Sequence, residues 1–210
     1  MIIYVDWVDL CWKSTLIRKI EELFSNKYKN ISVFKTDMNR LPRNNQSEEE
    51  LAFKKVDIWN FYNEQLDKAI AMLQEDKNQL IILDRFFMSE IVYGKVMRWY
   101  NFKENEQVKK LYETLLEKIK YIESELWWFA ILYLSDEISS IMTRFNKVWD
   151  DYLSKEDQFI AIMNEFEKEI NELQSSWIVT FSINVFKSNN YWWDIIEKLY
   201  FKDYNYIRQR

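Results

Sequence analysis

Five short, mainly apolar runs, at residues 2–5, 31–35, 80–83, 129–134 and 178–182, constrain the fold of this chain more than any other feature. A strand with one solvated face alternates apolar and polar residues, whereas a strand covered on both faces is apolar throughout, and these runs are closer to the second kind. Between them, apolar residues recur at the three- and four-residue spacing of amphipathic helices, as in Leu16/Ile20/Leu23, Leu66/Ile70/Leu73, Leu111/Leu115/Ile119/Ile122 and Phe159/Ile162/Phe166/Ile170. A last helical segment, 193–200, follows the fifth run. Strands alternating with helices predict an α/β fold, a doubly wound five-stranded parallel sheet with helices on both faces. Ligands of such sheets sit beyond the carboxyl ends of the strands. Asp6, Thr36-Asp37, Asp84-Arg85 and Ser135-Asp136 fall there.

The chain has 210 residues, enough for one substantial core, and no repeat or linker divides it, so residues 1–210 form a single expected domain. Two polar stretches resist regular assignment: 37–50 (DMNRLPRNNQSEEE) and 143–156 (TRFNKVWDDYLSKE). Long loops inside compact domains are usually functional or disordered. The first is expected to be a substrate-side loop and the second a lid.

The first run leads into Trp7-Val-Asp9-Leu-Cys11-Trp12-Lys13-Ser14-Thr15, and an amphipathic helix follows. This is the length and order of the phosphate-binding pattern G-x-x-x-x-G-K-[ST], in its required strand-to-helix context, with tryptophan at both glycine positions. Read as that pattern, Lys13 reaches the β- and γ-phosphates of ATP and Ser14 offers a hydroxyl to Mg²⁺. Thr15 adds a phosphate contact at a helix start, where anions are favoured and Lys13 should be solvent-reachable. Glycine is needed at positions 7 and 12 because the backbone turns sharply and its N–H groups must approach phosphate closely.

The composition bears on this conflict. Roughly 15 glycines are expected in a chain of this length, but there is 1, against 10 tryptophans. Trp149, Trp177, Trp127-Trp128 and Trp192-Trp193 stand at segment junctions, where glycine is the usual punctuation. Many of these tryptophans are therefore expected to be glycine in the living organism, through a UGA codon that some bacterial lineages read as glycine and a common alternative code as tryptophan. The single cysteine, Cys11, allows no internal disulfide. A net charge of −5 argues against non-specific nucleic-acid binding. No stretch approaches the roughly 20 apolar residues of a membrane span, and Asp6 interrupts the start before a signal-peptide core can form. A soluble, cytoplasmic protein without nucleic-acid or membrane partners is expected, with room for a homodimer.

Two further groups can carry chemistry. In Leu80-Ile-Ile-Leu-Asp84-Arg85-Phe86, an acid at the end of a buried strand can enter a Mg²⁺ shell or accept a proton. The adjacent arginine can neutralise phosphoryl charge bidentately. Arg144 and Lys147, in the expected lid, can close over ATP and exclude water.

With these residues the sequence resembles the thymidylate kinases, P-loop nucleoside monophosphate kinases. Residues 5–15 resemble that family's E-G-x-D-x-x-G-K-S-T loop, with Asp6 for the glutamate and Trp7 and Trp12 for the glycines. Asp84-Arg85-Phe86 with Ser89 and Tyr93 resembles its D-R-[YF]-x-x-S signature, and the region from Arg144 to Tyr152 its lid. The resemblance implies the P-loop nucleotide kinase fold and transfer of the γ-phosphoryl of ATP, with Mg²⁺, to a small-molecule nucleotide, dTMP first. It implies that Asp9 helps place the sugar and catalytic groups, that Arg85 holds the acceptor phosphate and that Tyr93 lines the deoxyribose pocket. Phe61 is expected to stack on the base. Arg43 closes a loose echo of the family's Arg-Pro substrate loop, Arg40-Leu-Pro-Arg43, while the family's arginine on the helix after the second strand has no counterpart in residues 57–63. Two alternatives stay open: a deoxynucleoside kinase acting on a 5′-hydroxyl, and a nucleotide-fold binding protein without catalysis, favoured by Trp7 and Trp12 as written.

Overall fold

The computed structural model describes residues 1–7, 13–43, 45–98, 100–126, 129–145, 156–175 and 179–184. Strands β1 (Ile2–Trp7), β2 (Asn30–Lys35), β3 (Gln79–Asp84), β4 (Phe129–Ser135) and β5 (Val179–Asn184) form one sheet in the order β2-β3-β1-β4-β5. Every pairing is parallel. The helices between them are α1 (Lys13–Phe24), α2 (Glu48–Glu75), α3 (Phe87–Met97), α4 (Glu106–Tyr121), α5 (Ile138–Phe145) and α6 (Glu156–Ser175). Among the described residues no helix is long and apolar enough to cross a membrane.

The central strands are buried along nearly their whole length, as continuously apolar runs require, while β2, at one edge, is half-exposed. Register separates the two faces. Tyr4 and Asp6 point to one side, together with Tyr133, which pairs with Asp6. Tyr4 meets Phe86 and Phe87 at the start of α3, and Tyr133 stacks on Phe166 of α6 at 5.0 Å. Val5 and its partner Asp84 point to the other side, where Asp84 receives Lys13 of α1. The chain leaves β1 toward β2 and crosses over it between β3 and β4, so a crevice opens beyond the carboxyl end of β1.

Several boundaries differ from the sequence expectation for physical reasons. The 37–50 stretch stops being a loop at Ser47. Its hydroxyl accepts the Glu50 N–H at 3.2 Å, while the Glu50 carboxylate takes the Ser47 N–H at 3.2 Å. This capping box starts α2, and the acid run that looked like solvated loop is favoured by the helix dipole there. Residues 143–145 of the expected lid belong to α5, and residues 146–155 lie outside the described residues. Strand β1 continues through Asp6 and Trp7, because the buried Asp6 carboxylate is fully engaged by its neighbours. Trp59 is buried in α2 and stacks on Phe102 at 5.5 Å, so this tryptophan serves the core as written.

Candidate active site

Helix α3 has no side-chain cap of its own at Phe86. Strand β1 supplies one instead. The Tyr4 hydroxyl accepts the Met88 N–H at 3.1 Å and donates to Asp6. Asp6 accepts the Ser89 N–H at 2.9 Å and the Ser89 hydroxyl at 2.6 Å. Burial first, and the Asp6 charge second, push the Tyr4 hydroxyl well above the usual tyrosine range. The segment after Asp84-Arg85 is thereby bolted to the central strand. Tyr4→Phe would leave the Met88 N–H without an acceptor and take one donor from Asp6. A loss of about 1–3 kcal/mol is expected in urea titration at an unchanged slope. A loss under about 0.5 kcal/mol, the usual size of a neutral surface change, would show that the cap is dispensable.

Lys13, the first residue of α1, donates its ammonium to Asp84 at the end of β3. Its side chain is 19% exposed and that of Asp84 8%. The expectation of an open, solvent-reachable Lys13 is corrected: burial lowers its proton affinity, opposed by the bond to Asp84. The first turn of α1 holds no acidic residue, which leaves a lysine beside the positive end of the helix dipole. Ser14 is exposed next to it and Thr15 half-buried.

Arg85 has φ 62°, the one left-handed non-glycine among the described residues. Such a conformation costs of order 1–3 kcal/mol and concentrates at functional sites. It is held by an Arg85 N–H donated to the Val5 carbonyl at 3.1 Å and by the Thr36 hydroxyl donating to the Arg85 carbonyl. The guanidinium extends over the Tyr93 ring at 5.8 Å, with one amino group 3.6 Å from the Met38 sulfur. Arg85, Tyr93 and the 36–47 segment thus meet beyond β3. Phe61, half-buried on α2, lies under the Arg40 guanidinium at 5.0 Å, and Arg40 pairs with Asp57 at 3.1 Å. Arg43 is exposed, its N–H donated to Gln46 at 2.8 Å.

Arg144 sits on α5 and donates to Asp136, buried just past β4. Asp136 also accepts the Glu137 N–H at 2.8 Å. The backbone of Trp7 ends β1 opposite Leu134, while Asp9, Trp12 and Lys147 lie outside the described residues. Sequence reasoning missed Glu90, Arg98 and Lys55, which gather behind the 36–47 segment. The available signal was Glu90 and Arg98, two of the three charges in the mostly apolar run from Phe86 to Tyr100.

No family model and no curated protein matches the sequence. Among solved structures, the YorR protein of Bacillus subtilis, in complex with phosphorylated GDP, superposes with a TM-score of 0.58 at 19% identity, over 96% of this chain and 97% of that one. A deoxyadenosine kinase from M. mycoides, with products dCMP and dCDP bound, gives 0.54 at 17% identity over 87% and 90%. A thymidylate kinase from Candida albicans gives 0.52 at 15% identity over 94% and 91%. This chain shares the α/β fold of these nucleotide-binding proteins, two of them nucleotide or nucleoside kinases.

Proposed function

We propose that the chain transfers the γ-phosphoryl group of ATP to a deoxynucleoside monophosphate, dTMP first. The observation that carries the reading is the meeting of Lys13, at a helix start, with Asp84 at the end of β3, in the crevice beside β1. Lysine and helix N-terminus supply positive charge for the donor phosphates. Arg85, strained and turned toward Tyr93 and the 36–47 segment, supplies a fork for the acceptor phosphate. Ser14 and Asp84 offer the hard oxygen donors that suit Mg²⁺, which needs few protein ligands because it keeps several waters. Bound there, Mg²⁺ would neutralise charge building on the transferred group. Asp9 and Lys147 complete the proposed set, with Arg144 as a cation for the donor side. Phosphoryl transfer asks mainly for positioning and electrostatics, which these groups provide. The reading requires positions 7 and 12 to act as glycine.

A nucleoside acceptor is the second reading, supported by the fold shared with a deoxyadenosine kinase. Release of ADP from the chain carrying Trp7→Gly and Trp12→Gly, offered each deoxynucleotide and each nucleoside, separates the two. Phosphorylation of dTMP with thymidine inert is the expected result. Arg85→Lys in the same background is expected to raise KM for dTMP and lower kcat, with ATP affinity changing less, because a lysine cannot grip a phosphate bidentately. A change that weakens mainly ATP, or a preference for thymidine, would transfer the assignment to the nucleoside kinase. No turnover with any acceptor would favour a non-catalytic nucleotide-binding protein.

A further inference from the structure

Glu90 and Arg98 lie at opposite ends of α3, and both are withdrawn from water: their side chains are 1% and 3% exposed, paired at 2.7 Å. Burial pushes the Glu90 carboxyl up, and Arg98 opposes that shift. A buried ion pair is weak evidence for stability, since desolvating two charges offsets much of their attraction. What the guanidinium does with its remaining donors is more telling. Nη2 also donates to the Glu90 carbonyl at 3.3 Å, and Nη1 donates to the Pro42 carbonyl at 3.1 Å. Pro42 is buried in the 36–47 segment, 56 residues away in sequence.

The only glycine of the chain lets Tyr100 pack close beside this pair. At Gly94 a Cβ would fall 3.2 Å from the Tyr100 ring and 3.4 Å from Nη2 of Arg98. Its carbonyl accepts the N–H groups of Arg98 at 3.2 Å and Tyr100 at 3.0 Å, folding the chain back over the end of α3. Lys55 of α2 covers the cluster, its ammonium 4.2 Å from the Tyr100 ring centre. From the other end of the same segment, Met38 reaches Arg85 and Arg40 reaches Phe61.

We infer that Arg98 is a positioning residue: anchored on Glu90, it holds the 36–47 segment in place through the Pro42 carbonyl and so sets the affinity for the acceptor. The kinetic consequence rests on the proposed function, but the tether does not. A lysine keeps the charge yet has no planar fork to serve Glu90 and Pro42 together.

Hydrogen–deuterium exchange on the full chain tests the tether in Arg98→Lys and in the double variant Glu90→Met/Arg98→Met. The double variant guards against misfolding, because replacing both members of a buried pair by apolar groups is often neutral. Amides of the 36–47 segment are expected to exchange about tenfold faster in both, the scale of losing a charge-assisted hydrogen bond, while β3 amides keep their rates. Unchanged exchange of the segment in the double variant overturns the inference, whatever reaction the protein catalyses. In the background with glycine at 7 and 12, the same variants are expected to raise the acceptor KM about tenfold while the ATP KM stays within about twofold, as loss of a single positioning contact predicts. Faster exchange with an unmoved acceptor KM overturns the positioning role. If the parent phosphorylates no acceptor, the proposed function falls, and exchange still decides what Arg98 does.

Discussion

Lys13→Ala, in the chain carrying glycine at positions 7 and 12, is expected to lower kcat by about a hundredfold or more, the scale on which a preorganised donor aimed at developing charge is lost. The structure adds a cost that an exposed lysine would not have. Asp84 is 8% exposed and would lose its cation, so about 1–3 kcal/mol of stability should go as well. That leaves a domain of ordinary stability folded, since totals run about 5–15 kcal/mol. The two effects separate cleanly: turnover at saturating substrate reads the first and a urea midpoint the second. Turnover within a few-fold of the parent would sink the phosphate-loop reading.

The second large effect concerns the tryptophans. Trp7 ends the central strand, and Trp12 immediately precedes the first residue of α1, the two positions at which the proposed phosphate loop asks for glycine. Glycine at those positions would let backbone N–H groups approach a phosphate more closely than a residue with a side chain does. Replacing both by glycine is therefore expected to tighten MgATP binding about tenfold or more, the scale of regaining a hydrogen bond to a charged group. Calorimetry on the two chains measures it. Equal, tight binding by the chain as written would remove the argument for recoding, and the mass of the protein isolated from its own host would report tryptophan or glycine at each position directly.

Much of the fold was legible because its central strands are covered on both faces, which makes them uninterrupted apolar words in the sequence. Asp84 and Arg85 were legible because a charge at the end of such a word has few structural excuses. The start of α2 was misread because three consecutive glutamates look solvated, and only Ser47 three residues before Glu50 reveals the cap. Asp6 was taken to lie beyond its strand, since its partners, Tyr4 and Ser89, come together only after folding. Arg98 and Glu90 escaped entirely. A single pair eight residues apart is too sparse to read as a pattern, and the carbonyl that gives Arg98 its purpose lies in another part of the chain. Arg144 was singled out as a lid residue; it sits on α5 and is engaged by Asp136.

The borrowed cap of α3 also bears on how the chain assembles. Asp6 and Ser89 are 83 residues apart in sequence, and β1 finds its neighbours in β3 and β4 rather than in the strand that follows it. At a synthesis rate of about 5–20 residues per second, β1 waits roughly 4–16 s for the segment that both pairs with it and takes its cap. Throughout that wait an apolar strand with two unpaired edges is exposed, a template for pairing with other nascent chains. Closing so long a loop is slow compared with forming local helix. The central strand is thus the vulnerable element during biogenesis, and a holdase that shields extended apolar segments should matter more to the yield of this protein than to its final stability.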